Sequence, residues 1–344
     1  MIASPLRLRL DRDALVANWR TLAAMSGTAA CGAAVKANGY GLGAPEVVRH
    51  LAEAGCRDFF VATWREALAL ADAGVAVSVL HGVREDDMAV ALESPHARPV
   101  LNSVQQVRRW RDAGGGACDV MVDTGMNRLG IRPEDVAAGL LAGMQVETLM
   151  SHLACADDES PLNAQQRDSL AALRDRTQAR RMSLANSAGI ALGPDYAFDL
   201  TRPGVALYGA VPVPALAGRI RQVVTPEAQI LQRRLVPAGA GVGYNLTWTA
   251  TVDTEVAIVN LGYADGYLRC FSGKGRAMLD DRVLPVIGRV SMDLTAIDVR
   301  AAPELAEGDW LAMDYDLSAT AALTGLSQYE LLTGLGARYD RIWV

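Results

Sequence analysis

The decapeptide Ala34–Gly43, AVKANGYGLG, sets a lysine, Lys36, behind a small-residue run (Ala29–Val35) and ahead of a glycine-rich turn carrying Tyr40. An ammonium taken out of water at the end of a buried strand is strongly penalised. Desolvation lowers its pKa, and the neutral amine attacks carbonyls to form a Schiff base. A solvent-facing lysine explains the same position without chemistry, so other residues must decide.

Four more segments carry candidate groups. DTGMNRLG (Asp123–Gly130) holds Arg128, and SHLA holds His152. Asn186-Ser187-Ala188 follows, and RPGVALYG (Arg202–Gly209) holds Arg202, Gly204 and Val205. Singly, each has an ordinary reading: a surface ion pair, a hydrogen-bonded core histidine, a helix N-cap at Ser187, a turn glycine. Together they fall at the C-terminal ends of successive strand candidates, where barrel enzymes place their chemistry. Ser187 and the backbone N–H groups of Gly204 and Val205 suit an anion in the loops that often hold phosphate. An imine-forming lysine beside a phosphate cradle suggests pyridoxal 5′-phosphate.

The elements that must position these groups alternate. Strand candidates are Cys31–Lys36, Asp58–Ala62, Val75–Leu80, Arg98–Leu101, Cys118–Asp123, Val146–Leu153, Met182–Asn186 and Phe198–Thr201. Helical patterns lie between them at Pro45–Ala54, Thr63–Ala73, Ser103–Ala113, Pro133–Leu141 and Asn163–Gln178. Thr63 and Glu66 form a capping-box signature. Eight strands alternating with helices fit an α/β fold, a (β/α)8 barrel, with a doubly wound sheet as the structural alternative. After about residue 219 short β-rich runs take over: Gln222–Val236, Glu255–Leu261, Ala277–Val290, Leu294–Val299 and Trp310–Asp314, with no long helix before Ser327–Leu335. The expected domains are a barrel over 11–218 and a mostly antiparallel β domain over 219–344, with Pro5–Leu10 a strand of one or the other.

With 344 residues the chain is long enough for two domains. A net charge of −6 argues against a nucleic-acid partner. No apolar run reaches membrane-spanning length, and MIASPLRLRL has no signal-peptide core. Five cysteines, odd in number and without a C-x-x-C, indicate neither disulfides nor a metal site, and point to a reducing, cytoplasmic compartment.

AVKANGYGLG, DTGMNRLG, SHLA, NSAG, DLTRPGVALYG, GYADGY (Gly262–Tyr267), GRVSMD (Gly288–Asp293) and YELL (Tyr329–Leu332) resemble, in order and over nearly the whole chain, the alanine racemase family. The resemblance implies a homodimer with composite active sites that interconverts L- and D-alanine on pyridoxal 5′-phosphate. It would supply D-alanine for peptidoglycan or allow its catabolism. Lys36 would hold the cofactor and act as one base. Tyr263, reaching the lysine of the other subunit, would be the second. Tyr40, Ser187, Gly204, Val205 and Tyr329 would bind the phosphate, with Asn186 in the same loop. Arg202 would face the pyridine nitrogen, and His152 would bridge Arg202 and the tyrosine. Arg128 and the backbone around Met292 would bind the substrate carboxylate.

Two positions depart from the family pattern. Met121 stands where many members carry a carbamylated lysine, so Arg128 must be held by an anion or by Asp123. Leu42 stands where histidine is common. Rival expectations are a decarboxylase of this fold, a racemase of broader specificity, and a non-enzymatic pyridoxal phosphate carrier. Arg202 argues against the first, and the β domain with GYADGY against the last.

Overall fold

Strand β1 (Leu6–Leu10) buries Leu6, Leu8 and Leu10 on one face, as period-2 alternation requires. The computed structural model describes residues 3–344. The chain divides into a unit of Asp13–Arg221 and a unit joining the segment that ends at Arg12 to Gln222–Val344.

The first unit contains β2 (Ala30–Cys31), β3 (Ala33–Ala34), β4 (Asp58–Val61), β5 (Ala76–Val79), β6 (Ala97–Leu101), β7 (Cys118–Met121), β8 (Val146–Met150), β9 (Arg181–Ser183) and β10 (Leu200–Thr201). They pair in parallel in the order β2-β10-β9-β8-β7-β6-β5-β4-β3. β2 and β3 are halves of the single strand expected at Cys31–Lys36. The first half pairs with β10 and the second with β4, so one broken strand closes an eight-stranded barrel. The break falls at Gly32, where a Cβ would lie 2.8 Å from the Asp58 carbonyl oxygen and 2.9 Å from the Phe60 ring. Closure excludes the doubly wound alternative.

The helices follow their apolar periodicity. Ala44–Ala54 buries Val47, Val48 and Leu51, carries Pro45 in its first turn and ends at left-handed Gly55. The expected helix Thr63–Ala73 is instead a capped turn, Trp64–Leu68, followed by a short 3-10 segment. Two further helices, Met88–Glu93 and Ser187–Ala191, are too short to leave a periodic signature.

The lower barrel interior is charged. Arg181 grips the Asp58 carboxylate at 2.6 and 3.0 Å. Asp119, fully buried, accepts from Ser78 Oγ at 2.6 Å and Arg98 Nε at 2.9 Å. Two arginines and two aspartates thus cancel in a layer that would otherwise hold uncompensated charge.

The second unit adds β11 (Val224–Val236), β12 (Gly241–Val242), β13 (Trp248–Thr249), β14 (Thr254–Val259), β15 (Arg276–Leu279), β16 (Arg282–Ile287), β17 (Thr295–Asp298), β18 (Trp310–Met313) and β19 (Asp340–Trp343). Its main sheet runs β14-β17-β16-β15-β18-β11-β1-β19 and is antiparallel apart from β1 with β19. The run expected at Ala277–Val290 is a hairpin turning at Asp280, whose φ is 52°. A helix at Leu317–Thr324, unexpected from the sequence, precedes Gln328–Thr333.

Candidate active site

Lys36 lies two residues beyond the end of β3, at the head of a turn that winds the wrong way. Ala37, Asn38, Gly39 and Tyr40 have φ values of 53°, 55°, 63° and 53°. Consecutive left-handed residues are rare, since each non-glycine one costs about 1–2 kcal/mol. One local and one long-range bond hold the turn: Asn38 Oδ1 accepts from Ala44 N at 3.0 Å, and Glu66 Oε1 accepts from Ala37 N at 2.8 Å. Burial lowers the Lys36 pKa, and the charges of Arg128 and Arg202 lower it further, against an opposing pull from Glu66.

The turn delivers Tyr40 to Gly204. Tyr40 is buried and stacks on Tyr208 at 4.7 Å, and the Tyr208 hydroxyl donates to the Ala34 carbonyl at 2.9 Å. A Cβ at Gly204 would collide with Tyr40 Oη and sit 3.0 Å from Cζ, so only glycine admits this approach. Ser187 Oγ accepts from Gly204 N at 2.9 Å and Ala206 N at 3.3 Å. The N-cap of Ser187–Ala191 is Asn186, whose Oδ1 accepts from Gly189 N, and not Ser187. Tyr40, Ser187, Gly204 and buried Val205 therefore converge into one cradle of hydroxyl and amide groups.

Arg202 follows β10 directly and is buried. It donates to Ser183 Oγ, to the Ser151 carbonyl at 2.5 Å and to the Leu184 carbonyl at 3.5 Å. Burial draws its pKa down to about 10, with Asp119 opposing, so the guanidinium stays charged. Among the described residues its Nε has no acceptor. His152 follows β8 by two residues. Burial and the charges of Arg202, Arg128 and Lys36 push its pKa down to about 3, so its imidazole is neutral. None of the Arg202 bonds goes to His152.

Arg128 is exposed, on the loop after β7. Asp123 Oδ1 accepts from Gly125, Met126 and Asn127 amides at 2.9–3.0 Å, so it shapes the loop. No carboxylate lies within 4.0 Å of Arg128 among the described residues. Met121 is buried at the end of β7.

The remaining candidates belong to the β unit. Tyr263 starts a 3-10 turn, Tyr263–Asp265, in which Tyr263 N donates to the Ser291 carbonyl and Ala264 N to the Met292 carbonyl, both at 3.0 Å. Asp265, fully buried, accepts from Gly262 N at 3.0 Å and from Arg338 at 2.6 and 2.8 Å. The Arg269 guanidinium lies 5.3 Å from the Tyr263 ring centre. Met292 and Tyr329 are 54% and 45% exposed. Sequence reasoning passed over Tyr244. It is 69% exposed, between β12 and β13, and is followed by left-handed Asn245 and Leu246. The glycine cluster Gly239–Gly243 just before it was the available signal, and it reads as a turn when taken alone.

The barrel strands thus end in a half-buried amine, a neutral histidine and a cradle of hydroxyl and amide groups, the layout of a barrel enzyme. The family description "Alanine racemase, N-terminal domain" matches residues 10–212, and "Alanine racemase, C-terminal domain" matches 223–343. The alanine racemase of Acidiphilium cryptum is 41% identical, covering 97% of this chain and 98% of its own. That of Rhodospirillum rubrum is 43% identical, covering 97% and 94%. The crystal structure of alanine racemase from Bartonella henselae, with covalently bound pyridoxal phosphate, superposes with a TM-score of 0.90 at 34% identity over 100% of both chains. The chain belongs to the alanine racemase family.

Proposed function

We propose that this protein interconverts L- and D-alanine with pyridoxal 5′-phosphate. The observation that carries the reading is the half-buried Lys36 amine, its pKa lowered by desolvation, beside the Tyr40–Ser187–Gly204 cradle. The residues fit that cofactor: the cradle suits a phosphate, and Arg202, whose other nitrogens donate to Ser183, Ser151 and Leu184, has its Nε–H to offer a ring nitrogen. Bound there, the cofactor supplies an aldehyde for an amine and a conjugated ring that acidifies the Cα–H of an amino acid.

The chain's own groups do the rest. Tyr40, Ser187 and the Gly204–Val205 amides hold the phosphate, with Tyr329 and Asn186 contributing. Arg202 cannot give up its proton at working pH, so it only donates. Facing a ring nitrogen, Arg202 would keep that atom unprotonated, which would restrain electron withdrawal and favour return of the proton to Cα. Lys36 Nζ, its pKa lowered, takes and returns that proton on one face. Arg128 offers a planar fork to the substrate carboxylate, with Met292 backbone opposite.

The second face needs a base from the β unit of a partner copy. Tyr263 is the residue the motif match indicates. Exposure favours Tyr244, because a side chain that reaches into another subunit must stand clear of its own, and strained left-handed loops collect at functional sites. The protein is then a cytoplasmic homodimer with composite sites.

Borohydride reduction and peptide mapping test the cofactor. The sequence has two lysines, Lys36 and Lys274, so the expected adduct on Lys36 is easily told from an adventitious one. An adduct absent from Lys36 refutes the assignment. A racemase assay over a panel of L-amino acids tests the substrate, with alanine expected first.

A further inference from the structure

The capping box at Thr63–Glu66 has more partners than a cap needs. Thr63 Oγ1 accepts from Glu66 N at 3.3 Å, and Glu66 Oε2 accepts from Thr63 N at 3.2 Å, which completes the reciprocal pair. Glu66 Oε2 also accepts from Ala62 N at 2.6 Å. The second oxygen, Oε1, leaves the helix altogether and accepts from Ala37 N at 2.8 Å, across 29 residues. Ala37 is the first left-handed residue after Lys36.

We propose that Glu66 is the positioning residue for Lys36, its carboxylate pinning the first amide of the left-handed turn while placing a negative charge near the amine. A carboxylate suits both tasks, since charge-assisted bonds to N–H are about twice as strong as neutral ones. The charges acting on the amine are Arg128, Glu66 and Arg202, while His152, which feels the Lys36 charge, is itself neutral. Two of these are cations that lower its pKa, and Glu66 alone is an anion that raises it. It therefore opposes the cations that drive Lys36 towards the neutral form, and sets how far that drive goes. An amide in its place keeps one acceptor and turns the other oxygen into a donor facing an N–H.

The proposal takes the role of Lys36 from the function above, but its test separates the two. Full-length protein carrying Glu66→Gln, Thr63→Ala, or Ala37→Gly with Glu66→Gln is compared with the parent. One arm measures the dissociation constant of pyridoxal 5′-phosphate. The other strips the cofactor with hydroxylamine and follows acylation of Lys36 against pH by peptide mass spectrometry. Glu66→Gln is expected to weaken cofactor binding about tenfold or more. It should also move the Lys36 labelling midpoint down by about half a pH unit, as loss of a nearby negative charge requires. Thr63→Ala breaks the cap and leaves the Ala37 bond, so both readouts should stay at parent values. Glycine at 37 removes part of the left-handed cost and should recover binding in the double variant, which also carries the test if Glu66→Gln alone is insoluble. Identical behaviour of Glu66→Gln and Thr63→Ala overturns the proposal, because Glu66 is then only a cap. An unmoved labelling midpoint also overturns it. A shifted midpoint with unchanged cofactor binding upholds the positioning role and counts against the cofactor assignment.

Discussion

Replacing Gly204 with alanine tests the cradle at its tightest point. The new methyl would run into Tyr40 Oη and meet Cζ at 3.0 Å and the Ala34 methyl at 3.4 Å. Tyr40 cannot swing aside cheaply, because its ring stacks on Tyr208, which is fully buried and tied to Ala34. Overpacking of this kind costs about 1–3 kcal/mol. For a domain of this size each kcal/mol lowers Tm by roughly 2–4 °C, so a fall of about 2–12 °C is expected by scanning calorimetry. The displaced hydroxyl would also forfeit a hydrogen bond to a charged phosphate, about 1.5–3 kcal/mol. That corresponds to roughly 10- to 150-fold weaker binding of pyridoxal 5′-phosphate, read by absorbance titration. Adding Tyr40→Phe removes the clashing oxygen. It should recover most of the lost Tm and none of the lost affinity. A Gly204→Ala protein with unchanged Tm and affinity, or a double variant that recovers neither, refutes the reasoning.

Other outcomes follow from the same geometry. His152 binds its proton near pH 3 when folded and near 6.5 when unfolded, so stability falls as pH drops through that window. Across that window the loss amounts to at most about 5 kcal/mol. Urea midpoints of His152→Asn should lose that dependence, and a slope equal to the parent's between pH 3 and 6.5 argues against a neutral imidazole in the folded protein. Tyr244→Phe and Tyr263→Phe, assayed side by side, identify the second base. That variant should lose L-to-D conversion about 100-fold or more while keeping bound cofactor, and loss of cofactor in both would make both tyrosines structural. Arg338→Met leaves the buried Asp265 carboxylate without its charged partner and the two hydrogen bonds that partner donates. It should destabilise the protein by about 3–5 kcal/mol in denaturant unfolding, and a loss under about 1 kcal/mol would mean the pair is dispensable.

The barrel was legible because alternating short apolar runs and helical patterns count out to eight units, and Lys36, His152 and Arg202 follow their strands within two residues. The break at Gly32 was not legible, because it arises from Asp58 and Phe60 on the neighbouring strand, which no local pattern reports. The capping box showed in the sequence, but only the fold reveals that Glu66 also reaches Ala37. Ser187 reads as an N-cap by type, yet Asn186 takes that place and frees Ser187 for the Gly204 and Ala206 amides. Tyr244 stayed hidden because exposure is a property of the folded surface.

The left-handed turn after Lys36 has a consequence for the order of events in the life of the chain. Three of its four residues resist that conformation, so an isolated peptide would unwind it. Beyond its local bonds, its long-range support comes from Glu66, which follows the next strand, and from the Tyr208–Ala34 contact. The turn after Lys36 therefore gains its full support only when those later segments have docked. A nascent or partly folded chain would keep its lysine as an ordinary hydrated ammonium, slow to trap stray aldehydes.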